Sequence, residues 1–219
     1  MVEPFKSAPE FAAIVDPYPD PLALEMAIRK GGRQAKLAFA RLWLSEGIPF
    51  VFKDSPWVYD AMRSWLSSRL SVDAKSISIC GSGRLGSSLA PGRIGKKFDG
   101  NSDLDLFVVS REYFERLVRE FNSWSNDYEN KTIIPRNEDE ERYWIDNNKR
   151  GPSNINRGFI DSWMIPNLDQ YQITREHNQA MYVLHQKLEA TKVFPTVKKI
   201  SMRCYKSWDD SVNQTIISI

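Results

Sequence analysis

The stretch ISICGSGRLGSSLAPGRIGKKFDGNSDLDLFVVS, residues 77–110, decides the fold. It opens on a short apolar strand, 77–80, that stops at Gly81. It closes on a second apolar strand, 104–109, that begins beside two aspartates. Between them lie five glycines, Pro91 and the basic residues Arg84, Arg93, Lys96 and Lys97, a composition that reads as loop from 82 to 102. Glycines directly after a strand permit a tight turn and the close approach of another group to the backbone. With the Ser82 hydroxyl, amides exposed at such a turn suit phosphate oxygens. Asp103 and Asp105 stand two apart on a strand, which puts both carboxylates on one face and Leu104 and Leu106 on the other. Two like charges so placed are costly unless a cation neutralises them, and Mg2+ prefers carboxylate and phosphate oxygens.

Outward from this stretch, helical periodicity runs over 22–44, with Gly31 and Gly32 splitting it, and again from Ser55-Pro56, an N-cap and a first-turn proline, to about Leu70. Ser110 is a cap for a helix over 112–124. The acidic run 138–141 reads as a solvated helix face or a loop. A third strand spans 159–165 before Pro166, and helical patterns cover 175–188 and 196–217. Helices, a strand–loop–strand, a helix, a strand and more helices predict an α+β domain, a small mixed sheet flanked by N- and C-terminal helices. The expected division is an extended arm over 1–20, a core over 21–170 and a C-terminal helical segment, 171–219, packed on that core.

The strand ending in Gly81-Ser82, the loop, and the strand carrying Asp103-Leu104-Asp105 together resemble the signature of the DNA polymerase β-like nucleotidyltransferases. The match is firm over 77–109 and loose to 165. The resemblance implies the palm-type sheet of that superfamily, a nucleoside triphosphate bound by Gly81 and Ser82, and Mg2+ or Mn2+ held by Asp103 and Asp105. The superfamily places a third carboxylate on a later strand. Asp161, inside the apolar run 159–165, fills that role as a metal ligand that also assists deprotonation of the acceptor hydroxyl, because an ionised group there needs a partner. A salt bridge, for example to Arg157, is the structural alternative. Asp99 and Asp146 lie in polar surroundings and are poorer candidates. Arg84, Lys96 and Lys97 are the basic residues placed to reach phosphate. The twenty residues between Ser82 and Asp103 make a longer loop than the family usually has, which suits a lid over the nucleotide.

The rival reading is a dinucleotide-binding unit, since Gly81-x-Gly83-x-x-Gly86 fits that fingerprint and an acid follows about twenty residues on. Pro91, Gly92, Gly95 and Gly100 leave no room for the helix it requires. Two acids at the near end of the second strand suit a metal better than a ribose. His177 and His185 have no zinc-type spacing with Cys or carboxylate and read as ordinary helix residues. Trp57, Tyr59 and Trp65 read as helix-interface aromatics, Trp208 and Tyr205 are open between core and surface roles, and Lys198 and Lys199 read as a solvated helix face.

Composition bounds these expectations without sharpening them. A net charge of +2 neither argues for nor against a nucleic-acid partner, because a local basic patch can sit inside a balanced total. Residues 1–21 lack the basic-then-apolar layout of a signal peptide, and no apolar run approaches the ~20 residues of a membrane span. The expectation is a cytoplasmic protein with no membrane partner and two reduced cysteines, Cys80 and Cys204. The functional expectation is transfer of a nucleoside monophosphate to a hydroxyl of a protein, tRNA or small molecule. A protein partner encoded nearby, in a toxin–antitoxin or antiviral-defence setting, belongs to the same reading. The alternative is a nucleotide-binding regulatory module that acts through a partner.

Overall fold

The structure is a computed structural model that describes residues 9–12, 14–217 and 219. Its centre is a four-stranded mixed sheet in the order β1-β2-β4-β3, formed by β1 (Ile77–Ile79), β2 (Asp103–Val109), β3 (Phe159–Asp161) and β4 (Lys199–Tyr205). β1 runs antiparallel to β2, β2 parallel to β4, and β3 antiparallel to β4. The α+β class and the mixed sheet follow the sequence expectation.

Strand period two gives this sheet two different faces. Leu104, Leu106 and Val108 point with Ile77, Ile79, Ile160, Ile200, Met202 and Cys204 into the main core. Side chains from α2 (Pro56–Leu70), α4 (Arg111–Glu129) and α6 (Gln172–Ala190) complete that core. Burying each such aliphatic side chain contributes roughly 1.5–3 kcal/mol, and a slip of one residue in β2 would send Asp103 and Asp105 into this layer. The register is therefore set by the alternation itself.

The opposite face is polar at one end and aromatic at the other. Phe107, Phe159 and Tyr205 form a small cluster there. Trp208, the first residue of α7 (Trp208–Ile217), meets Phe107 edge to face at 6.0 Å. α7 packs in turn on α1 (Pro21–Leu42), which Asp20 caps through the amides of Leu22 and Ala23. The helix bends at Gly32, whose φ of 59° is non-helical, as the paired glycines predict. Phe39, Leu24 and Leu85 anchor α1 in a second, smaller core.

Several expectations are corrected. Residues 199–205 form a strand, not part of a helix over 196–217, so the C-terminal segment supplies an inner strand of the sheet rather than a helical appendage. Alternation of Lys199, Ser201 and Arg203 with Ile200, Met202 and Cys204 is the physical reason, because it buries one face and exposes the other. The acidic run 138–141, by contrast, is helical as one of its two readings had it: it is the first turn of α5 (Glu138–Asn156), where carboxylates complement the helix dipole and Asn137 caps the Glu140 amide. β3 ends at Asp161 and a 3-10 turn, Ser162–Met164, takes its place in the expected strand 159–165. Of the expected arm, residues 1–8 and 13 lie outside the described residues, while Pro9–Phe11 form a 3-10 turn that buries Phe11. Ser110 caps α4 as expected, accepting from the Tyr113 amide at 3.2 Å. Among the described residues no helix is long and apolar enough to cross a membrane.

Candidate active site

The start of β2 lifts Asp103 and Asp105 to the open end of the polar sheet face, where both are exposed while Leu104 between them is buried. Asp105 is the better fixed of the two. Its Oδ1 accepts the Ser201 hydroxyl at 2.8 Å from β4, and its backbone carbonyl accepts the Cys80 amide at 2.9 Å from the end of β1. Asp103 lies opposite Lys199, and Asp105 opposite Ser201, in the β2–β4 register.

Gly81 follows Cys80 directly and begins α3 (Gly81–Leu85), a short helix where the sequence suggested a turn running into loop. Its φ of 64° belongs to the left-handed region, and a Cβ there would lie 3.8 Å from Asp105 Oδ2. Glycine thus lets the chain turn sharply from strand to helix with its backbone against the carboxylate. Ser82 is half-buried in the first turn of α3, where backbone amides have no partner within the helix. Of the expected neighbourhood, Gly81 and Asp105 are brought together. The same geometry disposes of the dinucleotide reading: β1 and β2 are antiparallel and α3 is five residues long, neither of which a βαβ unit allows.

The basic candidates divide. Arg84 is buried, and its Nε and Nη1 donate to the carbonyls of Trp43 at 2.8 Å and Gly47 at 3.1 Å. It ties α3 to the chain after α1, a correction to the phosphate role expected for it; an arginine fourth in a five-residue helix that also carries Leu85 inward had little surface to occupy. Lys96 and Lys97 are exposed on a hairpin, closed by a bridge between Ser87 and Lys97 and by the Ser88 amide on the Lys96 carbonyl at 2.8 Å. The expected lid is thus a structured hairpin. It leans towards α1, where Leu89, Pro91 and Ile94 share a groove with Ile28 and Arg29.

Asp161 is on the same sheet face but one strand further away. It is paired with Arg203, not Arg157, through Nε–Oδ1 at 2.8 Å and Nη2–Oδ2 at 2.9 Å. The strand that does neighbour the aspartates brings Lys199, Ser201 and Arg203 to this face instead of a carboxylate. Among the described residues no three His, Cys, Asp or Glu side chains form a metal-holding group. Mg2+ commonly takes one or two carboxylates and completes its shell with water and phosphate oxygens, so Asp103 and Asp105 are the donors that fit it, whereas both Asp161 oxygens are engaged.

Electrostatics converge at Cys80. Burial first, and then the Asp105 carboxylate, push its thiol up to about 12; Arg203 opposes the rise and Asp161 adds to it. A thiol held protonated in this way is no nucleophile. Ser201 and Arg203 were missed in the sequence because 196–217 read as helix, although the strict alternation of 199–204 was the available signal. His177 and His185, read as ordinary helix residues, both lie on α6; the Nδ1 of His177 pairs with the Tyr113 hydroxyl at 2.9 Å inside the core. Comparisons with protein-family models, curated proteins and solved structures find no match to this chain.

Proposed function

We propose that this chain is a Mg2+-dependent nucleotidyltransferase of the polymerase β-like kind. The observation that carries the reading is the exposed pair Asp103 and Asp105 on one sheet face, with the Gly81 backbone against Asp105. In the reaction, an acceptor hydroxyl oxygen bonds to the α-phosphorus of a nucleoside triphosphate. The bond from that phosphorus to the β-bridging oxygen breaks, pyrophosphate departs with the electron pair, and the hydroxyl proton passes to solvent water. Mg2+, or Mn2+ in its place, supplies charge neutralisation at the phosphate oxygens when bound.

The chain's own residues position the reactants. Asp103 and Asp105 hold the cation, and the Ser201 hydroxyl fixes the rotamer of Asp105. The α3 amides and the Ser82 hydroxyl receive the phosphates, and the exposed Lys96 and Lys97 add positive charge on the hairpin. Positioning of this kind accounts for much of what phosphoryl-transfer sites do. The acceptor is a protein, a tRNA or a small molecule, and a cytoplasmic toxin–antitoxin or antiviral-defence role with a partner encoded nearby is the setting we favour.

One observation favours a second reading. With Asp161 committed to Arg203, the pair at β2 has no third carboxylate grouped with it among the described residues, as suits a nucleotide-binding module that acts through a partner. Incubation with each α-32P-labelled nucleoside triphosphate, Mg2+ and candidate acceptors separates the two. Label transfer that vanishes in Asp103→Ala/Asp105→Ala supports the enzyme. Partner binding that persists in that variant, with no transfer by the wild type, supports the module.

A further inference from the structure

The Asp161–Arg203 pair is unequally placed. The Asp161 side chain is 7% exposed and that of Arg203 35% exposed, so the carboxylate backs the guanidinium from the buried side. Two of the five N–H bonds of the fork point at Asp161, through Nε and Nη2. The Tyr205 side chain is a further hydrogen-bond partner of the guanidinium, and the rest of the fork lies on the polar face. The guanidinium also rests on the Phe159 ring, 4.6 Å from its centroid, which fixes the plane of the fork. Arg203 stands two residues after Ser201, whose hydroxyl holds Asp105, and so lies on the same face of β4. Asp105, Ser201, Arg203 and Asp161 therefore share one face of three neighbouring strands.

A planar fork with one edge pinned by a buried acid is pre-organised for a second, bidentate partner, and phosphate has the matching geometry. We infer that Arg203, oriented by Asp161, contacts the phosphate chain of the nucleotide, and that Asp161 acts through this arginine rather than as a metal ligand. This rests on the nucleotidyltransferase reading of the same site. It replaces the metal role that the family resemblance implies for Asp161. Asp161 is here a positioning residue, and the aspartate pair holds the cation without it.

The test is calorimetric titration of the full chain with Mn2+ and, separately, with inorganic triphosphate. In Asp161→Asn the Mn2+ affinity stays within about twofold of wild type, while triphosphate binds roughly tenfold more weakly. Arg203→Lys keeps the charge, loses the fork and weakens triphosphate about tenfold; Arg203→Gln weakens it by about 10–100-fold. The double variant Asp161→Asn/Arg203→Gln exchanges the ion pair for two neutral amides. It loses no more affinity than Arg203→Gln alone, because a positioning residue has nothing left to position. Loss of Mn2+ affinity in Asp161→Asn, additive losses in the double variant, or triphosphate affinity untouched by Arg203→Lys overturns the inference. Binding of Mn2+ and triphosphate by the wild type that no Arg203 or Asp161 change disturbs removes this inference alone. A wild type that binds neither removes the nucleotidyltransferase reading with it.

Discussion

His177, on α6, lies 1% exposed against α4, its ring stacked at 8° on Tyr113. Burial pushes its pKa down to about 4, against a smaller upward pull from the Met202 carbonyl. The neutral ring is the folded form, and the unfolded chain takes up a proton near 6.5, so between those values the unfolded state binds more protons. Stability from this residue is complete above about 6.5 and is lost progressively as the pH falls to about 4, by about 3 kcal/mol in all. Urea unfolding at several pH values across that window should show this slope, and His177→Gln should flatten it. An equal slope in the variant would place the acid sensitivity elsewhere.

At the scale of elements, the helix after β4 is held by a contact that tolerates no added atom. A Cβ on Gly158 would lie 2.2 Å from Asp210 Cγ, and Gly158 also has a φ of 76°. Its carbonyl accepts the Lys206 amide at 2.8 Å, which aligns β4 with the turn into α7. Gly158→Ala should therefore loosen α7, with faster amide exchange across 208–217 than across β2, and cost about 2 kcal/mol or more through overpacking and backbone strain. Exchange unchanged in α7 would contradict the contact. Elements of this sort differ in how plainly the sequence announces them. β2 was legible because Asp103-Leu104-Asp105 alternates before an apolar run, and α1 because its period breaks at paired glycines. β4 was not, since Ile200, Met202 and Cys204 are too few to outweigh the helical signals on either side, and only pairing with β2 reveals its register. The same failure hid Ser201 and Arg203, whereas Gly81, Ser82, Asp103 and Asp105 lay in one quotable stretch. Arg84 was misread because nothing in a sequence says which carbonyls, here those of Trp43 and Gly47, a buried guanidinium will meet.

Across the whole molecule, β4 changes what the C-terminal segment is. It lies between β2 and β3, pairing with both, so the sheet is not closed until residues 199–205 arrive. A chain ended at residue 198 should lose its cooperative unfolding transition in circular dichroism, since it lacks an inner strand and the helix that covers the aromatic end of the polar face. A sharp two-state transition in that truncation would instead mark 199–219 as an appendage. The same closure builds the candidate site, because the groups that steady Asp105 and engage Asp161 both come from β4. The central claim is that Asp103 and Asp105 hold the divalent ion of a nucleoside triphosphate. Its most direct test is electron paramagnetic resonance titration of Mn2+ in the presence of ATP, with the wild type and with Asp103→Asn/Asp105→Asn. The expected result is saturable Mn2+ binding by the wild type at one locus and its loss in the double variant, with the fold intact by circular dichroism. Equal Mn2+ binding by both proteins would contradict it.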